Sequence, residues 1–267
     1  MNRKKRQRTP KRSNWLEKIF QVLVGGLLAI SILPPAQAAD HTNLEEGLPT
    51  QVVDAYATAY LNREIQGLFR YEHTDDNKDR FVLAPRLEYG FARNWQLEVE
   101  APFLLGDADR TGSGNVRLGA LYNFNIETLT MPAFAVSARV DIPSGKNSNG
   151  ADTTLKFIAS KMLVRGDWWN VLHFNIAWNH NSGRLDDERE NYYQAVLGYS
   201  FRIGTDTIMI VDLVRREERK KHEESNLVEL GLRRQITPLM VLTGGLGAGF
   251  GDESPDVQAT AGFQYSF

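Results

Sequence analysis

The last twelve residues of the chain alternate without a fault. Val257, Ala259, Ala261, Phe263, Tyr265 and Phe267 are apolar, while Asp256, Gln258, Thr260, Gly262, Gln264 and Ser266 are polar or small. A period of two over that length describes a strand with one greasy and one wet face. The pattern recurs upstream. Leu172, Phe174, Ile176 and Trp178 oppose His173, Asn175 and Asn179, and Tyr193, Ala195, Leu197, Tyr199, Phe201 and Ile203 oppose Gln194, Gly198, Ser200 and Arg202. Phe81, Leu83, Leu87, Tyr89 and Phe91 oppose Arg86 and Glu88, and Leu97, Val99, Ala101 and Phe103 oppose Glu98 and Glu100. Such runs are roughly twice the 5–6 residues usual for a strand in a soluble sandwich. They match the 9–11 residues that a tilted strand needs to cross a bilayer.

The connections alternate in character. Polar loops fall near 74–79, 106–114, 143–152, 181–190, 215–225 and 251–256, and shorter turns near 91–94, 125–131, 165–167, 203–206 and 235–238. Eleven connections join twelve strands. Long loops at one end and short turns at the other are the signature of a transmembrane antiparallel β-barrel, with both chain ends of the barrel on the short-turn, periplasmic side. Aromatic residues gather near the strand ends (Tyr89, Phe91, Trp95, Tyr122, Phe124, Trp168, Trp169, Tyr199, Phe201), as in an interfacial girdle.

Charge is divided unevenly along the chain. The first 38 residues hold eight Lys or Arg and one Glu, leaving 23 bases against 32 acids in the remainder. A basic start, an apolar run over Ile19–Leu33, Pro34-Pro35 and then Ala36-Gln37-Ala38 form the three parts of a secretory signal peptide. Residues 1–38 are therefore expected to be cleaved on export to the envelope of a Gram-negative bacterium. The acidic remainder argues against nucleic acid as a partner. With no cysteine, neither a disulfide scaffold nor a Cys-ligated metal site can exist. Residues 39–63 do not alternate. They read as a periplasmic or plug segment, with Thr50 placed to cap a short helix through Asp54, Ala55, Ala57 and Ala59, or as one further strand. The barrel is expected over 64–267.

Three segments carry a resemblance. They are Gly112-Ser113-Gly114-Asn115-Val116-Arg117-Leu118-Gly119 leading to Leu121-Tyr122-Asn123-Phe124; Val140-Asp141-Ile142-Pro143-Ser144-Gly145-Lys146; and Glu229-Leu230-Gly231-Leu232-Arg233 with the glycines and Pro255-Asp256 that follow. Together, over about residues 80–267, they resemble the phenol-degradation meta-pathway family of outer-membrane transporters. The resemblance implies a β-barrel and passage of small, aromatic or hydrophobic compounds. It supplies no substrate residues. The closing Phe263, Tyr265 and Phe267 resemble the terminal signal by which the barrel-assembly machinery recognises its clients.

Function must therefore be sought on the polar face. The candidate pore lining is Arg86, Glu88, Glu98, Glu100, Arg117, Arg139, Asp141, Lys156, Asp212, Glu229 and Arg233. Charges of both signs in a confined lumen either steer a solute or pair with one another and close it. Gly112-Ser113-Gly114 and Gly244-Gly245-Leu246-Gly247 precede no helical pattern and so fail as phosphate loops. The five histidines show no transition-metal spacing. The acidic runs Asp186-Asp187-Glu188 and Asp75-Asp76 read as solvated loops. His180 and Ser182, two apart on one face with Asn191 in reach by sequence, are the sole candidate for a lipid hydrolase. The expectation is a non-enzymatic barrel without metal or cofactor, in contact with outer-membrane lipid and with a small solute as cargo. A structural barrel without transport is the alternative, and a lipid-acting hydrolase the third reading.

Overall fold

The computed structural model describes residues 38–74, 78–107, 111–145, 150–164, 168–251 and 254–267. The signal-peptide expectation lies almost wholly outside these residues. Fourteen strand segments follow in order: β1 (Arg63–Thr74), β2 (Lys78–Ala92), β3 (Trp95–Glu100), β4 (Phe103–Gly106), β5 (Gly112–Ser113), β6 (Val116–Asn123), β7 (Ala133–Ile142), β8 (Asp152–Val164), β9 (Asn170–His180), β10 (Asn191–Gly204), β11 (Thr207–Glu217), β12 (Glu224–Thr237), β13 (Met240–Phe250) and β14 (Val257–Ser266). Segments β3 and β4 lie end to end against β2, interrupted at Ala101-Pro102. Proline brings no N–H to the ladder there. Segments β5 and β6 continue one another in the same way, against β4 and β3. The barrel thus has twelve staves, all antiparallel. It is closed because β1 pairs with both β14 and β2.

Facing follows the sequence period. In β9, Phe174 and Ile176 are each 43% exposed, while His173 and Asn175 are each 2% exposed. An apolar band this extensive would be an aggregation surface in water; on a barrel it is the lipid face. Aromatic rings bound the band at both ends. Trp95 stacks on Tyr122 at 4.5 Å, and Tyr199 on Phe201, beside short turns; Phe81 meets Phe69 and Tyr71 at the opposite end.

Two connections depart from the expected alternation of lengths. Strands β1 and β2 pair as far as Thr74↔Lys78, so three residues separate them where a long loop was expected. The turn after β6 occupies nine residues, 124–132, tied by Asn125 through its side-chain bonds to Pro132 O and Phe134 N. Polarity located these connections; the number of ladder bonds made before the chain turned was not encoded in it.

Residues 39–62 are neither a helix nor a strand of the barrel. They enter at the short-turn end, where Ala39 N bonds Pro238 O, and pass into the lumen. They leave where Leu61 N bonds Gly90 O, and Asn62 then leads into β1. The helix expected after Thr50 is corrected by the destination of its amides. Gln51, Val52, Val53, Ala55 and Thr58 donate their backbone N–H groups to side chains of the barrel wall, so none is left for an i−4 carbonyl. The hydrophobic core of the molecule lies inside the barrel, between this segment and the wall. Leu44 and Val52 join Val196, Ile208, Ile210, Val214 and Leu227; Val53 and Ala55 join Leu121, Ala133, Ala135 and Ile158; Leu48 joins Leu68 and Ala84.

Candidate functional site

The lumen is the site, and the N-terminal segment occupies it as a belt laid across successive strands. Gln51 N donates to Glu229 Oε2 on β12 (2.9 Å), Val52 N to Asp212 Oδ2 on β11 (2.9 Å) and Val53 N to Asn175 Oδ1 on β9 (2.8 Å). Ala55 N then donates to Ser160 Oγ on β8 (3.0 Å) and Thr58 N to Gln96 Oε1 on β3 (2.8 Å). Carbonyls are satisfied as well: Asn175 Nδ2 reaches Val53 O (2.8 Å) and Asn123 Nδ2 reaches Ala55 O (2.6 Å). Asn175 therefore serves Val53 as a neighbouring strand would, one acceptor and one donor. Asp212 and Glu229 stand opposite each other in register. Each of the two accepts one backbone amide from the belt.

Glycines provide the seats. A Cβ at position 198 would lie 2.5 Å from Val52 Cγ2, and one at 231 would lie 2.2 Å from Pro49 Cγ. Hydrogen at these positions lets the belt lie against the wall without a shift of either.

Charged residues anchor the segment's first half. Glu46 Oε2 receives Lys156 Nζ (2.8 Å) and Arg139 Nη1 (3.2 Å), and Arg86 Nη2 donates to Glu46 O (2.9 Å). Burial opposes ionisation of the Glu46 carboxyl, but Lys156 and Arg139 outweigh it and hold the group well below the usual carboxylate range. Around this anchor Glu100 bridges Arg86 (2.7 Å) and Arg117 (2.6 Å), while Asp141 contacts Arg117 and Arg139 at 3.5 and 3.3 Å. Arg233 is fully buried; it donates to Leu48 O (2.8 Å) and His41 O (3.2 Å), and contacts Gln264.

The eleven residues named from sequence as pore lining all project inward, and most meet the belt rather than open space. Arg86, Arg139, Lys156, Asp212, Glu229 and Arg233 contact it as described, and Glu88 accepts a bond from Thr58 Oγ1 (3.2 Å). Glu100, Arg117 and Asp141 complete the ion-pair network. Glu98 packs beside Gly119, with no cation within 4 Å among the described residues. Phe263 and Tyr265 face lipid, and Phe267 N closes the barrel by bonding Arg63 O.

Sequence reasoning missed Glu46, Gln96, Asn123, Ser160 and Asn175 as holders of a segment. It also missed the apolar inner wall. Glycines on the polar parity of β10 and β12 were the available signal, since such a position marks the close approach of another backbone.

The hydrolase constellation does not assemble. Ser182 Oγ donates to Ala151 O (2.7 Å), whereas His180 Nδ1 and Trp178 Nε1 share Asn191 Oδ1 at 3.2 and 3.1 Å. In the acidic loop, Glu188 is engaged by Asn181, Leu185 N and Arg219. Asp75 and Asp76 lie outside the described residues.

Residues 63–267 match the family described as "Putative MetA-pathway of phenol degradation". The chain belongs to this family. Among solved structures, an outer membrane channel from Pseudomonas putida F1 superposes with a TM-score of 0.62 at 14% identity, over 84% of this chain and 100% of that one. The NanC porin and the KdgM porin, the latter solved in complex with disordered oligogalacturonate, each give 0.53 at 12% identity over 77% of this chain, covering 100% and 99% of their own. No protein of curated function matches the sequence. This member of the phenol-degradation family thus has the closed β-barrel fold of outer-membrane channels and porins, as the resemblance implied.

Proposed function

We propose that this barrel is a channel for small apolar or aromatic solutes, exported through its signal peptide to the outer membrane of a Gram-negative bacterium and closed at rest by its own N-terminal segment. One observation carries the reading. The wall beneath the belt is apolar: Val196, Ile208, Ile210, Val214 and Leu227 line the lumen on β10 to β12, covered by Leu44 and Val52. With the segment docked, this strip is the core against which the belt packs; with the segment displaced, it would face the lumen. Movement of the segment would present that strip to a passing solute, with ion pairs on the facing wall. The family's description agrees with aromatic cargo.

The test is current through single refolded barrels in a planar bilayer. Phenol added on the short-turn side is expected to block the ionic current saturably, and glucose at the same concentration is not. Equal effects of the two solutes would remove the assignment of apolar cargo. Absence of current in every state of the protein would favour a structural barrel.

A further inference from the structure

We infer that the long-loop mouth carries a second closure: the β11–β12 loop, residues 218–223, lies across the β8–β11 sector as a strap latched by Arg219. Pairing of β11 with β12 ends at Glu217↔Glu224, so Arg219 stands two residues beyond the ladder. Its partners belong to other elements. Nη1 donates to Asp152 Oδ2 on β8 (2.8 Å) and Nη2 to Asn181 Oδ1 just past β9 (2.8 Å), while Nε stands 3.1 Å from Glu188 Oε1 in the β9–β10 loop. From β11 to β8 is three strand spacings, about 14 Å along the wall. The loop backbone makes most of that crossing. Arg189 N donates to Arg219 O (2.7 Å) and Lys221 N to Asp187 O (2.9 Å), and Glu188 and Lys220 form an antiparallel bridge. The crossing runs on the lumen side. Asp152 and Asn181 each stand one residue beyond the last β8–β9 pair, Thr153↔His180, and share the inward parity of buried Thr154 and Asn179.

The platform under the strap is tied down. Asn181 Nδ2 donates to Glu188 Oε2 (3.0 Å) and Asn181 N to Glu190 O (2.8 Å), while Ser182 Oγ donates to Ala151 O at the foot of β8 (2.7 Å). Exposed ion pairs contribute little, and Arg215–Glu224, with side chains 67% and 44% exposed, is of that kind. The latch differs. The Asp152 and Glu188 side chains are 14% and 7% exposed, and one guanidinium serves both together with Asn181. Loss of that guanidinium takes a counter-charge from the shielded Asp152 carboxylate, and lifting the strap hydrates it. The wall below gives the strap its role. Val196, Val214 and Leu227 of the apolar strip lie on β10 to β12. Gln194 and Arg216, facing each other in register, follow on β10 and β11 one inward position nearer the mouth. A solute approaching the strip from the long-loop side passes beneath residues 218–223.

The strap's role in passage rests on the channel reading; its existence does not, and its test measures access rather than flux. The chain has no cysteine, so one introduced thiol reports alone. Gln194→Cys places it under the strap, and Glu72→Cys places a control on the inward face of β1, outside the strapped sector. Each refolded full-length barrel, in neutral detergent, is labelled with a sulfonated dye maleimide, with and without Arg219→Ala. Arg219→Ala is expected to speed labelling at 194 at least fivefold and to leave the rate at 72 unchanged. Asp152→Ala, which removes the far anchor, should act in the same direction, and it carries the test by the same criteria if Arg219→Ala yields no heat-modifiable barrel. A smaller change at 194 in the folded variant, or an equal change at 72, overturns the strap. A conducting barrel without the selective change loses the strap alone. A silent barrel with it loses the channel alone.

Discussion

Asn175→Leu should release the belt without disturbing the barrel. Leucine nearly conserves the volume but offers neither the acceptor for Val53 N (2.8 Å) nor the donor to Val53 O (2.8 Å). Both backbone groups are buried in the lumen, and leaving a buried polar group unpaired costs about 1–3 kcal/mol each. The docked state should therefore lose about 2–6 kcal/mol, a factor of ~30 or more in the undocked population. Strand pairing is untouched, because the ladder uses the backbone of β9. The assay is hydrogen exchange by mass spectrometry on peptides covering 44–62 of the refolded protein. Amides 52, 53 and 55 should exchange at least thirtyfold faster than in wild type, with the β9 amides unchanged. Asn179→Leu is the control: it faces inward on the same strand but bonds Thr154 and Tyr192 O, not the belt. Wild-type protection of residues 44–62 in Asn175→Leu, or equal loss in both variants, would refute the reasoning.

Three further outcomes follow from the same geometry. Phe174→Arg puts a charge on the lipid face at a cost of about 2–4 kcal/mol at the midplane, and should lower the heat-modifiable folded fraction relative to Phe174→Leu. Glu100→Gln leaves Arg86 and Arg117 short of their shared carboxylate; removal of one partner from a buried pair costs up to about 3–5 kcal/mol, read as a lower urea midpoint for unfolding in micelles. The depressed Glu46 carboxyl contributes docking stability that is present above the ordinary carboxylate range and lost as pH falls through its lower, folded-state value; wild-type protection of residues 44–62 should thus decline in acid, whereas Glu46→Gln should show the weaker protection already at neutral pH and little further change.

The membrane-spanning pattern was legible wherever the two faces of a strand differed. In β9 and β14 apolar and polar residues alternate cleanly, and the register followed at once. In β11 the sequence Ile208-Met209-Ile210-Val211 is apolar on both faces, one turned to lipid and the other to the belt. Period two has no contrast there, and the inner wall could not be read. The belt was illegible for another reason. Its partners lie 178, 160, 122 and 105 residues away in the chain. Val52 and Val53 favour extended backbone by their branching but encode no destination; the wall sets their course by accepting the amides of Val52, Val53 and Ala55. The charged residues were found as an inward-facing set, but their pairing with Glu46 was not, because Glu46 stands in a stretch with no pattern of its own.

The central claim is that the N-terminal segment closes the lumen and that passage requires it to move. The chain has no cysteine, so a single introduced pair reports without background. A Cβ at position 198 would lie 2.9 Å from Val52 Cβ, and a shift of roughly 1 Å brings the two into the 3.5–4.5 Å range of a disulfide. The measurement is single-channel conductance of Val52→Cys/Gly198→Cys, oxidised and then reduced in the same bilayer. The oxidised barrel should be silent, and reduction should restore conducting events, no rarer than in wild type because a Cβ at 198 crowds the belt's seat. Equal conductance in the crosslinked and reduced states would contradict the account.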